Sequence, residues 1–260
     1  MQVKACILVA MKKSIALLAA VSEEIAGIKK AMHIFDRTRL NKIETWTGTW
    51  WGKNIVLART GVGRQKAKQA TVQVIENFHP EAIISIGYAG ALATELKVGD
   101  LFIADCILDG QNDSVAFEVE NSLNSEWLGL AKSISLSGEL KIKVGKLITV
   151  NSVIHTPEAK QDLRKQVGAD AVEMETIEIA MLAREKKIPF LSVRGISDAA
   201  DHELIDSSSF LGSDGEISKL RAGWYVLTHP KSLKNAISLR SHTQIATQNL
   251  TDFISKLISI

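Results

Sequence analysis

Cysteine is almost missing from this chain. Cys6 and Cys106 are the only two among 260 residues, they lie far apart, and each sits in an apolar run. Two such thiols make neither a disulfide framework nor a metal site, and they suit a reducing, cytoplasmic setting. The six histidines show no HxxxH or HExxH spacing, so no metal site is expected. Excess charge is also lacking. The net charge is +2, and the basic residues are dispersed in small groups such as Lys12-Lys13 and Lys29-Lys30. No basic block is interleaved with aromatics, which argues against a nucleic-acid partner. No apolar run approaches the roughly 20 residues that span a bilayer, so stable membrane insertion is not expected. From Met11, "MKKSIALLAAVSEE" imitates a signal peptide. Yet a strand-like "VKACILVA" precedes it, the run ends on Glu23 and Glu24, and no small-x-small cleavage pattern stands before them.

What is present is a soluble, core-forming composition: 46% apolar and 23% charged residues. Strand and helix patterns alternate along it. "KACILVA" (4–10) reads as a buried strand, and 14–32 has helical spacing through Ile15, Leu18, Val21, Ile25 and Ile28. Residues 43–59 read as two strands meeting at the turn "WGKN", and "TGVGR" (60–64) opens a helix. Further strands are expected at 81–92, 98–108 and 143–154. Thr156 and Pro157 start a helix that Gly168 stops. "ADAVEME" is a strand feeding the helix "TIEIAMLAREKK", and "IPFLSVRGIS" is the last strong strand. The tail is mostly helical, with an apolar face at Leu250, Phe253, Ile254, Leu257 and Ile258. The expectation is one α/β domain over 1–260, a mixed, largely parallel twisted sheet flanked by helices, with 202–260 as lid and C-terminal helices.

In open α/β sheets, ligands collect at the carboxyl ends of strands. Four strand ends carry suggestive residues: "GYAG" (87–90), "NSVIH" (151–155), "EME" (173–175) and "SDAAD" (197–201). Gly87 and Gly90 serve either turn geometry or a floor for a flat ring, with Tyr88 beside it. Glu173 and Glu175 alternate about Met174, so they can share one face of a strand, or they can complement a helix dipole. Asp198 can be a turn residue or a directed acid. Arg194, inside a buried strand, needs a carboxylate partner. "TGVGR" lacks the Lys-Ser/Thr of a P-loop and the third glycine of a dinucleotide fingerprint, which disfavours kinases and NAD enzymes.

Taken in order, "ILVAM", "TGVGRQKA", "IISIGYAGAL", "LITVNSVI", "AVEMET" and "PFLSVRGISDAAD" resemble the nucleoside phosphorylase/nucleosidase superfamily. The likeness is strongest to the methylthioadenosine/S-adenosylhomocysteine nucleosidases and covers about the first 200 residues. The tail, "SDAADHELIDSSSFLGSDGEISKL" and beyond, is similar to the hopanoid-associated branch that acts on adenosylhopane.

The resemblance implies cleavage of the bond between ribose and purine in a 5′-substituted adenosine, through an oxocarbenium-like transition state and without a cofactor. It makes Asp198 the acid that protonates N7 and Glu175 the acceptor for the ribose hydroxyls, with Met174 against the sugar and Glu173 in support. Val153 and Ile154 would border the base, while Ser197, Tyr88, Ala89 and Gly90 close the pocket. A homodimer is also implied. Where the nucleosidases carry "AMEEE", with a water-activating third glutamate, the aligned "AMKKS" puts Ser14, which can position water but not take its proton. That leaves open phosphorolysis, with phosphate as co-substrate, and a nucleoside-binding pseudoenzyme. The usual phosphate clamp is missing, because Ser85 stands for its arginine; Lys12, Lys13 or Arg64 would have to replace it. Val153 stands for the base-stacking aromatic, and Trp224, Tyr225, Val226 and Leu227 are candidates for an apolar entrance.

Overall fold

The computed structural model describes residues 13–112, 116–119, 121, 123–136, 140–204 and 230–260, with 230–240 as helix backbone alone. The element order is β1 (Ser14–Ala19), α1 (Ala26–Ala31), β2 (His33–Leu40), β3 (Ile43–Trp50), β4 (Lys53–Arg59), α2 (Arg64–Phe78), β5 (Ala82–Ala91), β6 (Leu101–Asp109), β7 (Ala116–Glu118) and α3 (Ser125–Ser133). There follow β8 (Ile142–Thr149), α4 (Pro157–Val167), β9 (Ala171–Glu173), α5 (Thr176–Glu185), β10 (Phe190–Asp198) and α6 (Pro230–Ser259).

The strands form one mixed sheet in the order β10-β6-β8-β9-β5-β1-β4-β3-β2, with β7 on β6 and a further pairing of β10 with β5. That last pairing closes a circuit through β5, β9, β8, β6 and β10. From it, β1, β4, β3 and β2 extend as an open wing. The ladder β4-β1-β5-β10 is parallel throughout, and so is β6-β8-β9. Covered strands of this kind are continuous in their apolar residues rather than alternating, and β5 and β10 show it in the runs "AIISIG" and "FLSV".

The same property corrects one expectation. Ser14–Ala19 is not the first turn of a helix but the central strand β1, buried at all six positions between β4 and β5. A short apolar run satisfies a helical template and a two-sided buried strand equally well. The helix is confined to Ala26–Ala31. The strand expected at 4–10 lies outside the described residues. The edge strand β2, the short β7 and the helix α3 were not foreseen. β2 alternates exposed and half-buried positions, one face turned to the protein and the other outward, and among the described residues it pairs with β3 alone. Elsewhere the signals hold: β3 and β4 meet at Trp51-Gly52, Thr156 caps α4 through its side chain, and Gly168 ends it in a left-handed conformation.

The tail splits in two. Leu250, Phe253, Ile254, Leu257 and Ile258 of α6 are buried, and α6 packs on β10, where a Cβ at Gly195 would stand 3.0 Å from Ala246 O and 3.1 Å from its Cβ. The expected apolar entrance at Trp224–Leu227 and most of the expected lid lie outside the described residues. No helix among the described residues is long and apolar enough to cross a membrane.

Asn124 ties this frame together: its Nδ2 donates to Val119 O at 3.1 Å and its Oδ1 accepts from Phe190 N, the first amide of β10, at 2.9 Å. Asn124→Ala strands the buried Phe190 N–H, while Val119 O keeps the Asn121 amide at 2.9 Å, so urea unfolding should show a loss of about 1–3 kcal/mol. A loss below about 0.5 kcal/mol, the range of ordinary surface changes, would mean that water replaces the side chain.

Candidate active site

The site forms where the carboxyl ends of β1, β5, β8, β9 and β10 meet. Its foundation is Arg194, buried in β10. The guanidinium Nη2 donates to Ser85 Oγ at 2.7 Å, to Glu173 Oε2 at 3.2 Å and to Thr176 Oγ1. Ser85 is therefore a partner of this arginine.

Glu173 is consumed by the protein. Its Oε1 accepts from Thr149 Oγ1 at 2.5 Å, and its carboxylate also takes the backbone N–H groups of Glu175 and Thr176 at 2.9–3.0 Å. These amides open α5, so the carboxylate both neutralises Arg194 and satisfies a helix N-terminus.

Glu175 turns the other way. Its Oε1 accepts from Gly63 N at 2.6 Å, the amide at the start of α2. Gly61 and Gly63 take φ of 85° and 95°, a left-handed geometry that glycine adopts without strain. The "TGVGR" turn thus presents its amide to a carboxylate. Burial, with the neighbouring Glu173 charge, pushes the Glu175 carboxyl up to about 8, against the Gly63 amide and Arg194. Arg64, beside this turn, is engaged by Asp109 and Gln111 and lies 3.6 Å from Glu178. Lys13 is exposed immediately before β1, at the end opposite the rim, and Lys12 lies outside the described residues.

The residue missed in the sequence is Glu24. It follows the carboxyl end of β1 and is almost fully buried. Its Oε2 accepts from Ala20 N and Val21 N at 2.8 and 2.9 Å, and its Oε1 from Tyr88 N at 2.8 Å. Burial raises its carboxyl above the ordinary range, opposed by these amides and by Arg194. Gly87 separates the two charges: a Cβ there would stand 2.5 Å from Arg194 Nη1 and 2.6 Å from Glu24 Oε1. A carboxylate held by three amides at a strand end can accept a proton from water. Once Ser14–Ala19 is β1, the strand end followed by "AAVSEE" exposes this residue; reading "ILVAM" as the strand hid it.

Ser14 is placed elsewhere. It begins β1 rather than ending it, it is fully buried, and its backbone O accepts from Glu81 N. Strand direction puts it at the opposite end of the sheet from the rim, so it does not join the site.

Asp198 ends β10. Ile196 pairs with Ala89 and Asp198 with Gly90, leaving Ser197 as a bulge that re-aims the strand end. Ser197 Oγ donates to Asp198 Oδ1 at 2.7 Å, and Lys160 Nζ, from α4, donates to Oδ2 at 2.6 Å. Gly90 leaves room for this carboxylate, since a Cβ would lie 2.9 Å from Oδ2. Lys160 was not singled out in the sequence, because a lysine on a helix normally reads as a solvated face.

The remaining expected residues border this rim unevenly. Ile154 and Met174 are half-buried against a small apolar cluster of Leu92, Ile148, Val150, Ala169 and Val172, and Val153 is half-buried beside them in sequence. Ala89 is buried. Tyr88 contributes its amide to Glu24, but its hydroxyl bonds Thr247 of α6 at 2.5 Å, and burial raises its proton affinity. Its phenol is committed to the helix.

Comparison with known proteins agrees with this architecture. A Staphylococcus epidermidis protein named 5′-methylthioadenosine/S-adenosylhomocysteine nucleosidase is 28% identical over 218 residues, covering 77% of this chain and 96% of that protein. In fold the chain is similar to the nucleosidase of that name from Neisseria meningitidis, solved with methylthio-immucillin-A, at a TM-score of 0.74 and 22% identity over 95% of this chain and 99% of that one. It is equally similar to futalosine hydrolase of Helicobacter pylori strain 26695, with a TM-score of 0.74 and 22% identity over 96% and 98% of the two chains. The family described as the phosphorylase superfamily matches residues 4–218, and this chain belongs to it.

Proposed function

We propose that this protein is a purine nucleosidase that hydrolyses the N-glycosidic bond of a 5′-substituted adenosine and releases adenine. The observation that carries the reading is the pairing of two buried carboxylates, Glu24 and Asp198, along one strand. Tyr88 N holds the first and Gly90 abuts the second, so two residues of β5, roughly 6.5 Å, separate their attachments. Glu175 stands on the neighbouring β9–α5 turn.

Three tasks divide among them. Glu24 takes a proton from the attacking water, which its three amide bonds orient it to do. Glu175 accepts from the ribose hydroxyls, and such donors favour its ionised form once the sugar is bound. Asp198 delivers a proton to N7 of the leaving base. The C1′–N9 electron pair then departs on a neutral purine, and the carboxylates stabilise the positive charge on the sugar. Met174 and Ile154 supply the apolar wall beside sugar and base.

Hydrolysis is favoured over phosphorolysis on electrostatic grounds. Glu24, Glu173 and Glu175 are all buried at this rim, and a phosphate dianion there would meet the Glu173 carboxylate and compete with it for Arg194. Arg194 is matched by Glu173, and Arg64 is engaged by Asp109 and Gln111. The pseudoenzyme alternative rested on Ser14 in place of a glutamate; the buried Glu24 at the same rim supports the enzyme reading instead. The 5′ group is of the methylthioadenosine, adenosylhomocysteine or adenosylhopane type. The names of the relatives support the first two; the tail motifs support the third.

Release of the free purine base from methylthioadenosine, adenosylhomocysteine, adenosylhopane, inosine and futalosine, with and without phosphate, tests the reading. Phosphate-independent release from an adenosine derivative is expected; a ribose 1-phosphate product would overturn hydrolysis. On the best substrate, Glu24→Gln and Asp198→Asn should each lower kcat by about 10²–10⁴-fold. Ser14→Ala should stay within about threefold of the parent, and a larger loss would return the water-positioning role to the serine.

Glu175 also leaves a mark on stability. Its folded carboxyl titrates at about 8, above the 4.5 of an unperturbed glutamate. The native state therefore holds a proton that the unfolded chain has released, and stability falls as pH rises through that interval. Denaturation of the ligand-free protein should show this decline between about pH 5 and 8, and Glu175→Gln should flatten it. An unchanged slope in the variant would assign the decline to another group.

A further inference from the structure

Lys160 is 1% exposed, and three acceptors surround its ammonium: Asp198 Oδ2 at 2.6 Å, Ala199 O at 2.8 Å and His202 O at 3.1 Å. An ammonium has three donors, so all are spent within the protein and none is left to bind a ligand. Packing does not call for a lysine here. On the same helix, Leu163 and Val167 sit against the small apolar cluster, and an uncharged chain would fill the place of Lys160 without the cost of burying a cation. The charge is spent on the one carboxylate that would meet the leaving base.

We propose that Lys160 and Asp198 act as a single acid, with Asp198 as the group that touches the base and Lys160 as the positioning residue that stores its proton. The inference rests on the nucleosidase reading of this site. At rest the pair holds one transferable proton, on Lys160 Nζ, while Lys160 and Ser197 fix the two carboxylate oxygens. As the C1′–N9 bond breaks, its electron pair stays with the purine. Lys160 Nζ gives its proton to the Asp198 carboxylate as that carboxylate passes one to N7, so Asp198 ends ionised and Lys160 neutral. Water forms the new bond to C1′ and gives its proton to Glu24. Lys160 then recovers a proton from solvent and Glu24 releases one, so charge and protons balance over a turnover. An isolated aspartic acid must start protonated to do this. The pair instead carries its proton on Lys160 into each turnover.

Other titratable groups surround the pair on several elements. Glu158 is exposed on α4, and Arg164 of the same helix faces Asp170 and Glu95 at 3.8 and 3.9 Å. His155 lies on the link from β8 to α4. Asp201, His202 and Glu203 follow β10, with the His202 ring stacked on His242 of α6. Glu173 and Glu175 come from the β9 side, Arg194 lies deeper in β10, and Glu24 stands across β5. The experiment must therefore change Lys160 itself.

The decisive comparison is Lys160→Met against the parent, following kcat/KM for adenine release and the affinity for adenine across pH. The variant should keep activity near pH 6 within about tenfold, while the alkaline limb of both profiles moves down by about one pH unit or more. An unmoved limb with uniform loss would reduce Lys160 to a clamp on the Ala199–His202 loop. A limb that moves up would mean that the ammonium only opposes protonation of Asp198. Either result overturns the proposal.

A measurement on the parent protein covers a variant that fails to fold. Calorimetry of adenine binding at about pH 8, in buffers of different ionisation enthalpy, should show net proton uptake near zero, because the pair already carries the proton. Uptake approaching one proton would overturn the shared acid. The nucleosidase reading fails on a different result: no adenine released from any nucleoside by the parent protein, whatever the proton count for adenine.

Discussion

A guanidinium in the middle of a buried strand must be matched by negative charge, and in this molecule that requirement organises the rim. Arg194 draws Glu173 inward, and Glu173 then has lone pairs that reach the first amides of α5 and the Thr149 hydroxyl at the end of β8. With α5 fixed, Glu175 has one direction left, toward the amide of Gly63. Across Gly87, the same arginine moderates the cost of burying Glu24. One cation thus holds elements from β5, β8, β9 and β10 in register. Removing one partner of such a buried pair typically costs about 3–5 kcal/mol, because the other charge is left stranded. The acidic surroundings of the rim are part of the fold's own charge balance.

Asp198 belongs to a second, separate balance. Its counter-ion comes from α4 rather than from the sheet, and that lysine also binds carbonyls of the chain leaving β10. The two halves of the proposed chemistry therefore have different owners. The water side is governed by Arg194 within the sheet, and the base side by Lys160 on a covering helix. This separation lets neighbouring carboxylates do opposite work, since each meets its own field.

Legibility in the sequence followed the same division. Read alone, "VEME" and "RGISD" left Glu175 and Asp198 open between helix-dipole or turn roles and a site; it was the resemblance of the ordered motifs that singled them out. Thr156, Pro157 and Gly168 marked α4 by local chemistry that needs no tertiary context. Glu24 was hidden by an error of one strand: Ser14–Ala19 is apolar without alternation, and helical spacing fits it as well as burial on two faces does. Placing the strand too early carried the expected nucleophile site to Ser14, ten residues before the glutamate that occupies the rim. Lys160 was illegible for a different reason. α4 also carries Glu158, Asp162, Arg164 and Lys165, so Lys160 reads as one more surface charge, and only the fold shows that this position turns inward against Asp198.

The closure of β10 onto β5 also sets the order in which the sheet can come apart. Every strand of the circuit has a partner on each side, whereas β2 is paired to β3 alone among the described residues. Local opening begins where ladders have a free side and few covering contacts. Fraying that starts at β2 travels inward through β3 and β4 to β1, and so reaches the segment bearing Glu24 before it disturbs the circuit that carries Asp198. Amide exchange should be graded across the site accordingly: the Glu24 end breathes with the wing, and the Asp198 end only with the circuit.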